Sequence, residues 1–257
     1  MKTMTAIPIA IALATPAAAQ TAIGLTGDRT LAMIDTATAT VTGTLEVAGT
    51  DRLLGIDMRP SDGKLYAVTA DHRIVTVDTT SGALTEVARM DVMLPVGDMP
   101  VIVDFNPAAD KLRFMTGTVN HRVDPGTGKV TVDGPLAYEP GDMHAGETPM
   151  IVAAAYSNSH GKPEKTAMYD IDATIVALIR QTVPNDGTLK AVGKLGIDPA
   201  ASYAFDIATT ADGAHTAWLA ADTMLHTVDL ETGKVSASWP LTGATGALRD
   251  LTVMPAM

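Results

Sequence analysis

Three observations predict an all-β fold, and within it a five-bladed β-propeller. A two-part strand signature recurs along the chain at intervals of 46 to 51 residues. Beyond residue 19 no stretch carries helical periodicity. One copy of the unit is split between the two ends of the chain. Units of four short strands at this period are the mark of propeller blades, and a split unit is how such a ring closes.

Residues 1–19 stand apart from that pattern. Lys2 precedes the apolar run Ile7–Ala14, and Ala17, Ala18 and Ala19 supply small residues for cleavage. This is the layout of a secretory signal peptide, and the run is too short to span a bilayer. The expected mature domain is therefore 20–257, a single propeller in the periplasm or secreted. The chain has no cysteine, which excludes disulfides and thiolate metal sites. Its 29 acidic against 18 basic residues give a net charge of −11, or −12 once Lys2 is removed. Such a surface repels nucleic acid and anionic membranes, so neither is an expected partner and no membrane insertion is expected. A small molecule or a protein remains as partner.

The first signature is clearest in GIDMRPSDGKLYAV (55–68) and IVDFNPAADKLRFM (102–115). AFDIATTADGAHTAWL (204–219) lengthens the turn, AAAYSNSHGKPEKTAMY (153–169) carries an insertion, and DLTVMPAM (250–257) is its first strand alone. Equivalent positions are Asp57, Asp104, Ala155, Asp206 and Thr252, spaced 47, 51, 51 and 46. The second signature is a β-rich run, an Asp or polar residue, a Thr/Gly turn and a second run. IVTVDTTSGALTEV (74–87), HRVDPGTGKVTV (121–132) and LHTVDLETGKVSA (225–237) share it. LAMIDTATATVTGTL (31–45) and LIRQTVPNDGTLKAV (178–192) are looser copies. Asp accepts hydrogen bonds from the turn backbone and Gly takes positive φ. Each unit thus holds four strands, in the clearest case at about 53–60, 65–70, 73–79 and 83–89. The last unit has only a first strand and the first unit only the other three, so residues 250–254 are expected to close the N-terminal blade beside 23–48.

The acidic stretch Arg59–Gly63 resembles a cation loop, but its recurrence at equivalent turns favours turn chemistry over ligation. Asp57, Asp104 and Asp206 differ, because innermost strands line the channel and three carboxylates from three blades can converge there. They have two readings: acceptors for a neighbouring blade's backbone, or a metal or catalytic ring.

The motifs Asp104-Phe-Asn-Pro107, Asp133-Gly-Pro-Leu-Ala-Tyr138 and Ala154-Ala-Tyr156 give nearly the whole mature chain a resemblance to a secreted bacterial family, domain of unknown function 4394. The resemblance supports fold and export; it implies no activity.

The least repeat-like segment is 133–151, and 90–101 is the other long connection of its kind. Both belong to the face where propellers carry ligand sites, and loops carry function more often than scaffolds do. The candidate ligand-binding residues are Asp57, Asp104, Asp206, Asn106, Tyr138, Asp142, His144, Glu147 and Tyr156, with Asp142 and His144 expected to reach into the site. No cofactor is required, and a divalent cation is an option. Met90, Met93, Met99, Met115, Met143 and Met150 with His121 and His144 are a candidate soft copper set, set against their use as core fillers. No nucleophile elbow, zinc-protease motif or EF-hand spacing is present. The channel carboxylates match a glycosidase pair formally, but two Trp, five Tyr and three Phe leave few sugar platforms. The favoured reading is a non-catalytic binding propeller using the face of 90–101 and 133–151. A hydrolase or lyase using the channel carboxylates, and a periplasmic copper or calcium binder, are the alternatives.

Overall fold

The computed structural model describes residues 20–255; the expected leader, 1–19, lies outside the described residues. The described chain is built of strands without a helix, so no helix is long and apolar enough to cross a membrane. Strands β1 (Thr21–Thr26), β2 (Thr30–Asp35) and β3 (Thr40–Glu46) begin the first blade. Blade 2 follows with β4 (Leu53–Arg59), β5 (Lys64–Thr69), β6 (Arg73–Val77) and β7 (Leu84–Arg89). Blade 3 holds β8 (Val101–Asn106), β9 (Lys111–Thr116), β10 (Val119–Val123) and β11 (Val130–Val132). After the short β12 (Ala137–Tyr138), blade 4 holds β13 (Ile151–Tyr156), β14 (Met168–Asp172), β15 (Ala177–Val183) and β16 (Thr188–Lys194). Blade 5 holds β17 (Tyr203–Thr209), β18 (His215–Ala221), β19 (Met224–Val228) and β20 (Val235–Pro240). The last strand, β21 (Leu248–Val253), returns to the first blade and pairs antiparallel with β1, with Ile23 opposite Thr252.

Five antiparallel sheets thus stand in a ring, and β21-β1-β2-β3 is the blade made from both chain ends, as the split repeat predicts. The inner strands β4, β8, β13, β17 and β21 pack side by side around the channel. Burial falls from inside outwards: β4, β8, β13 and β17 are buried along nearly their whole length, while the outer strands β3, β7 and β20 are mostly exposed. The apolar core is divided among the blade interfaces. Ile56 and Leu65 of blade 2 pack with Ile23 and Leu31 of blade 1. Phe105 and Phe114 of blade 3 pack with Tyr66 and Ile74 of blade 2. Trp218 of blade 5 packs with Ile34 and Leu251 of blade 1. Each blade is therefore held by its neighbours, and the channel itself is left to polar groups.

The turns bear out the repeat chemistry. Asp78, Asp124 and Asp229 each accept two backbone N–H groups of the following turn. The glycines that close these turns, Gly82, Gly128 and Gly233, have φ of 71°, 72° and 75°. A Cβ on Gly128 would also strike the Arg89 carbonyl of the preceding blade, so the glycine serves both the turn and the blade contact. The stretch Arg59–Gly63 is a turn: Asp62 accepts the Lys64 N–H at 3.0 Å and Gly63 has φ 66°. Arg59 leaves it to grip Asp110 of the next blade with two bonds of 2.8 and 2.6 Å.

The segment 133–151 contains a fifth strand that the repeat does not announce. Strand β12 adds parallel to β16 on the outer edge of blade 4.

Candidate functional site at the two channel mouths

One repeat position does two jobs at the end of the channel where the inner strands finish. Asp57 Oδ2 accepts the Phe105 N–H of the next blade at 2.7 Å. Asp104 Oδ1 accepts the Tyr156 N–H of the blade after that at 2.9 Å. Asp206 Oδ2 accepts the Val253 N–H, and Thr252 Oγ1 accepts the Met58 N–H at 3.1 Å. Each acceptor thus holds the residue one past its own counterpart in the next blade. The series breaks at Ala155, which has nothing to offer; the Ile207 N–H there turns to Asp206 Oδ1 at 2.6 Å. The backbone-acceptor reading of the three aspartates therefore holds.

The same three side chains also converge. One oxygen from each of Asp57, Asp104 and Asp206 lies within 4.8 Å of the other two. All three residues are buried, at 6, 5 and 7 % exposure. Their partners are distributed unequally. Both oxygens of Asp57 are engaged, since Oδ1 accepts from Met58 N at 2.7 Å and from the Thr252 hydroxyl at 2.8 Å. Both oxygens of Asp206 are engaged as well. Asp104 has a bond to Oδ1 only, which leaves Oδ2 without a hydrogen-bond partner. The cavity around the trio is lined further by Gln20, Tyr156, Ser159, His160 and Thr209, with no lysine or arginine.

Burial and mutual repulsion follow from that arrangement. Desolvation, then the neighbouring carboxylates, hold Asp57 and Asp104 well above the ordinary carboxylate range. Desolvation pushes Asp206 up to about 6. A fourth carboxylate, Asp250, lies two residues before Thr252 on β21 and accepts the Ile56 N–H at 2.7 Å; burial pushes it up to about 8. Carboxylates so placed either share protons or take up a cation.

Asp250 is a channel carboxylate that the repeat does not announce; it belongs neither to the trio nor to the lining of its cavity. Its counterparts are Gly55, Ile102, Ala153 and Ala204, so a lone acid at an otherwise small or apolar inner-strand position was the available signal.

The remaining sequence candidates fall into two groups. Tyr156 belongs to the carboxylate mouth: its N–H serves Asp104, and its hydroxyl takes Arg113 Nε and Nη2 at 3.2 Å. Asn106 is a turn residue whose Oδ1 accepts the N–H groups of Ala108 and Ala109. Tyr138, Asp142, His144 and Glu147 lie along the outer edge of blade 4. Tyr138 donates to Asp172 at 2.7 Å. Asp142 accepts the Ala191 N–H of β16 at 2.8 Å and so clips the loop to the blade. His144 Nδ1 meets Glu147 at 3.0 Å. None of these four lines the cavity at either mouth. The methionines are dispersed: Met90 and Met115 are core side chains, whereas Met93 and Met143 are exposed.

At the opposite mouth, where the inner strands begin, a cavity of about 330 Å³ opens. Residues 98–101 and Met150 from the two long connections line part of it, and Arg52 and Arg249 stand on another side.

Fold and site together define a ring-closed five-bladed propeller with a two-ended channel, acidic at one mouth and arginine-bearing at the other. The sequence matches the family described as Domain of unknown function (DUF4394) over residues 29–252. The chain belongs to that family. No curated protein matches it. Similar solved structures include a protein of unknown function from Bacteroides caccae, 14 % identical, with 87 % of this chain and 73 % of that chain covered and a TM-score of 0.44. An auxiliary nutrient binding protein from Bacteroides ovatus is 14 % identical over 80 % of this chain and 52 % of its own, with a TM-score of 0.45. A luciferin-regenerating enzyme is 13 % identical over 87 % of this chain and 78 % of its own, with a TM-score of 0.49.

Proposed function

We propose that the protein is an exported, non-catalytic binding propeller, and that its carboxylate mouth takes a hard divalent cation of the calcium type. The observation that carries the cation is the trio itself. Three carboxylate oxygens from three blades lie within 4.8 Å of one another, no lysine or arginine lines their cavity, and Asp104 Oδ2 has no hydrogen-bond donor among the described residues. A dication would replace the protons that repulsion otherwise forces onto the trio. All-oxygen ligands suit calcium or magnesium, and calcium accepts them at 2.3–2.6 Å with water completing the shell. Copper, in contrast, favours imidazole and thioether donors, which the trio lacks. Export rests on the leader-like residues 1–19. The opposite mouth, on the face of 90–101 and 133–151, is the small-ligand face in this reading.

The experiment is a thermal melt after EDTA treatment, then with calcium or magnesium restored. Calcium should raise the melting temperature of the wild type, and Asp104→Asn should fold but lose most of that shift. A wild-type melt that ignores calcium, magnesium and manganese alike ends the cation reading.

A further inference from the structure

The mouth where the inner strands begin is chemically unlike the rest of this acidic molecule. Leu54, Val101, Val152 and Tyr203 form the apolar floor of its cavity, with Met99 and Met150 at the rim. Those two methionines are partly exposed, at 38 and 37 %, and thioether side chains adapt readily to an apolar guest. Facing them are two guanidinium groups. Arg249 Nε donates to the Gly27 carbonyl at 2.6 Å, and Nη2 donates to the carbonyls of Leu53 at 2.9 Å and Asp28 at 3.3 Å. Backbone thus fixes one edge of the fork while Nη1 has no partner, and no carboxylate lies within ion-pair distance of Arg249. Arg52 has only a loose contact, its Nε 3.7 Å from Asp28 Oδ1. Burial, then the nearby Arg52 charge, work against the charge on Arg249 and outweigh the support of Asp250 and Asp28. Asp28 and Asp250 are the nearby carboxylates, and among the described residues neither makes a hydrogen-bonded ion pair with either arginine.

We infer that this mouth binds a small monocarboxylate with an apolar body, its carboxylate held between Arg52 and Arg249 and its body laid on the apolar floor. The inference rests on the reading of the protein as a binding propeller, and not on the cation at the other mouth. Charge sets the class of ligand. Two arginines would satisfy one carboxylate through charge-assisted bonds, which are the strong ones. Asp98, also on the cavity wall, cancels part of their charge and so disfavours a dianion. Size agrees, since about 330 Å³ lies at the lower end of small-ligand cavities. Arg52 is exposed and has no close partner, so it can move onto a ligand without breaking a structural bond.

The test is isothermal titration of the whole protein in EDTA with 3-phenylpropionate and hexanoate, each beside its neutral amide. Either acid should bind saturably, and its amide about tenfold or more weakly, because a charge-assisted bond is worth more than that factor. Arg52→Ala should weaken the acid by about tenfold with an unchanged melting temperature, and Arg52→Lys should recover part of the loss. Arg249→Lys, which keeps the charge but not the fork, is the second variant. Binding should be indifferent to calcium and to Asp104→Asn. Neither acid binding, acid and amide binding alike, or Arg52→Ala leaving the titration unchanged overturns the inference. Dependence on calcium or on Asp104 would place the ligand at the other mouth and overturn it equally.

Discussion

The two mouths of one channel are built from the same five inner strands, yet they have opposite electrostatics. Where the strands end, Asp57, Asp104 and Asp206 meet with no lysine or arginine beside them. Where the strands begin, Arg52 and Arg249 stand over an apolar floor. The difference follows from which part of the repeat supplies each. The acidic mouth comes from one repeated position, filled by Asp in three units, Thr in a fourth and Ala in a fifth. Its carboxylates are bound to the scaffold by backbone N–H groups before any ligand arrives. The arginine mouth comes from two earlier positions of the same repeat, since Arg249 is the counterpart of Leu54, Val101, Val152 and Tyr203 and Arg52 that of Met99, Met150 and Ala201, and its guanidinium groups are only partly committed. A site whose side chains clasp the next blade's backbone in series is rigid and coupled to fold stability. A site at repeat positions whose side chains do not clasp it is free to differ from blade to blade.

The largest expected effect comes from the strand that serves both mouths. Strand β21 carries Arg249 toward one end and Thr252 and Val253 at the other, with Asp250 between them. Deleting 250–257 removes the buried Leu251 and Val253, 2 and 7 % exposed, and leaves the inner edge of β1 unpaired. At about 1.5–3 kcal/mol for each buried aliphatic side chain, and with the Asp250, Thr252 and Asp206 clasps gone, the loss is a large share of a normal folding free energy. Circular dichroism melts should show a sharp fall in melting temperature. An unchanged melt would break the closure, and with it the common origin of the two mouths.

Proton linkage separates the mouths next. Asp206 at about 6 and Asp250 at about 8 lie above the value of an unfolded carboxylate, near 3.9, as do Asp57 and Asp104. The folded state therefore binds more protons than the unfolded one between those values. The contribution of these groups is fully present below about pH 4 and is lost as pH rises from there to about 8, by an amount on the order of a few kcal/mol. Asp170, buried in blade 4 and pushed up to about 8, adds to the same slope from outside the mouth. Urea unfolding in EDTA at pH 5, 6.5 and 8 measures it. Calcium competes with protons, so its stabilising effect should grow over the range in which the metal-free protein weakens. Arginine does not titrate there, so carboxylate binding at the other mouth should change much less than the calcium effect between pH 6.5 and 8. Stability rising from pH 5 to pH 8 without a metal would contradict the burial and repulsion assigned to the acidic mouth.

The fold was legible because propeller units repeat their local chemistry. Asp–Thr–Gly turns at 78–82 and 229–233 mark the blades, and the truncated DLTVMP marks the closure. The trio was legible for the same reason, since equivalent positions in a ring must face one another. Of the segment 133–151, whose departure from the repeat suggests a binding rim, Met150 reaches a channel cavity while Tyr138, Asp142, His144 and Glu147 do not. The structure spends its polar side chains on fastening β12 to the edge of blade 4, through Tyr138 to Asp172 and Asp142 to Ala191. The pairing of Arg52 with Arg249 went unread although the same register held it: Arg249 shares the repeat position of Leu54, Val101, Val152 and Tyr203, Arg52 lies two positions before Leu54, and the predicted ring closure brings the two together across 197 positions.

The smallest expected effect sharpens the comparison within the acidic mouth. Replacing Asp by Asn turns one acceptor oxygen into a donor, and the cost depends on what that oxygen met. Asp57 has donors at both oxygens, Met58 N and Thr252 Oγ1 on one and Phe105 N on the other. In Asp57→Asn an amide N–H must face a donor on one side, which costs roughly 1–3 kcal/mol. Asp104 has a donor at Oδ1 only. In Asp104→Asn the carbonyl keeps the Tyr156 N–H, and the new N–H₂ points toward the other carboxylates. That exchanges a repulsion for a hydrogen bond, so metal-free Asp104→Asn should be as stable as wild type or slightly more so at pH 8. Chemical unfolding of the two variants side by side reads the difference directly. If both lose the same stability, the free oxygen of Asp104 is no freer than those of Asp57. The trio is then a structural clasp throughout, with no vacancy for a cation.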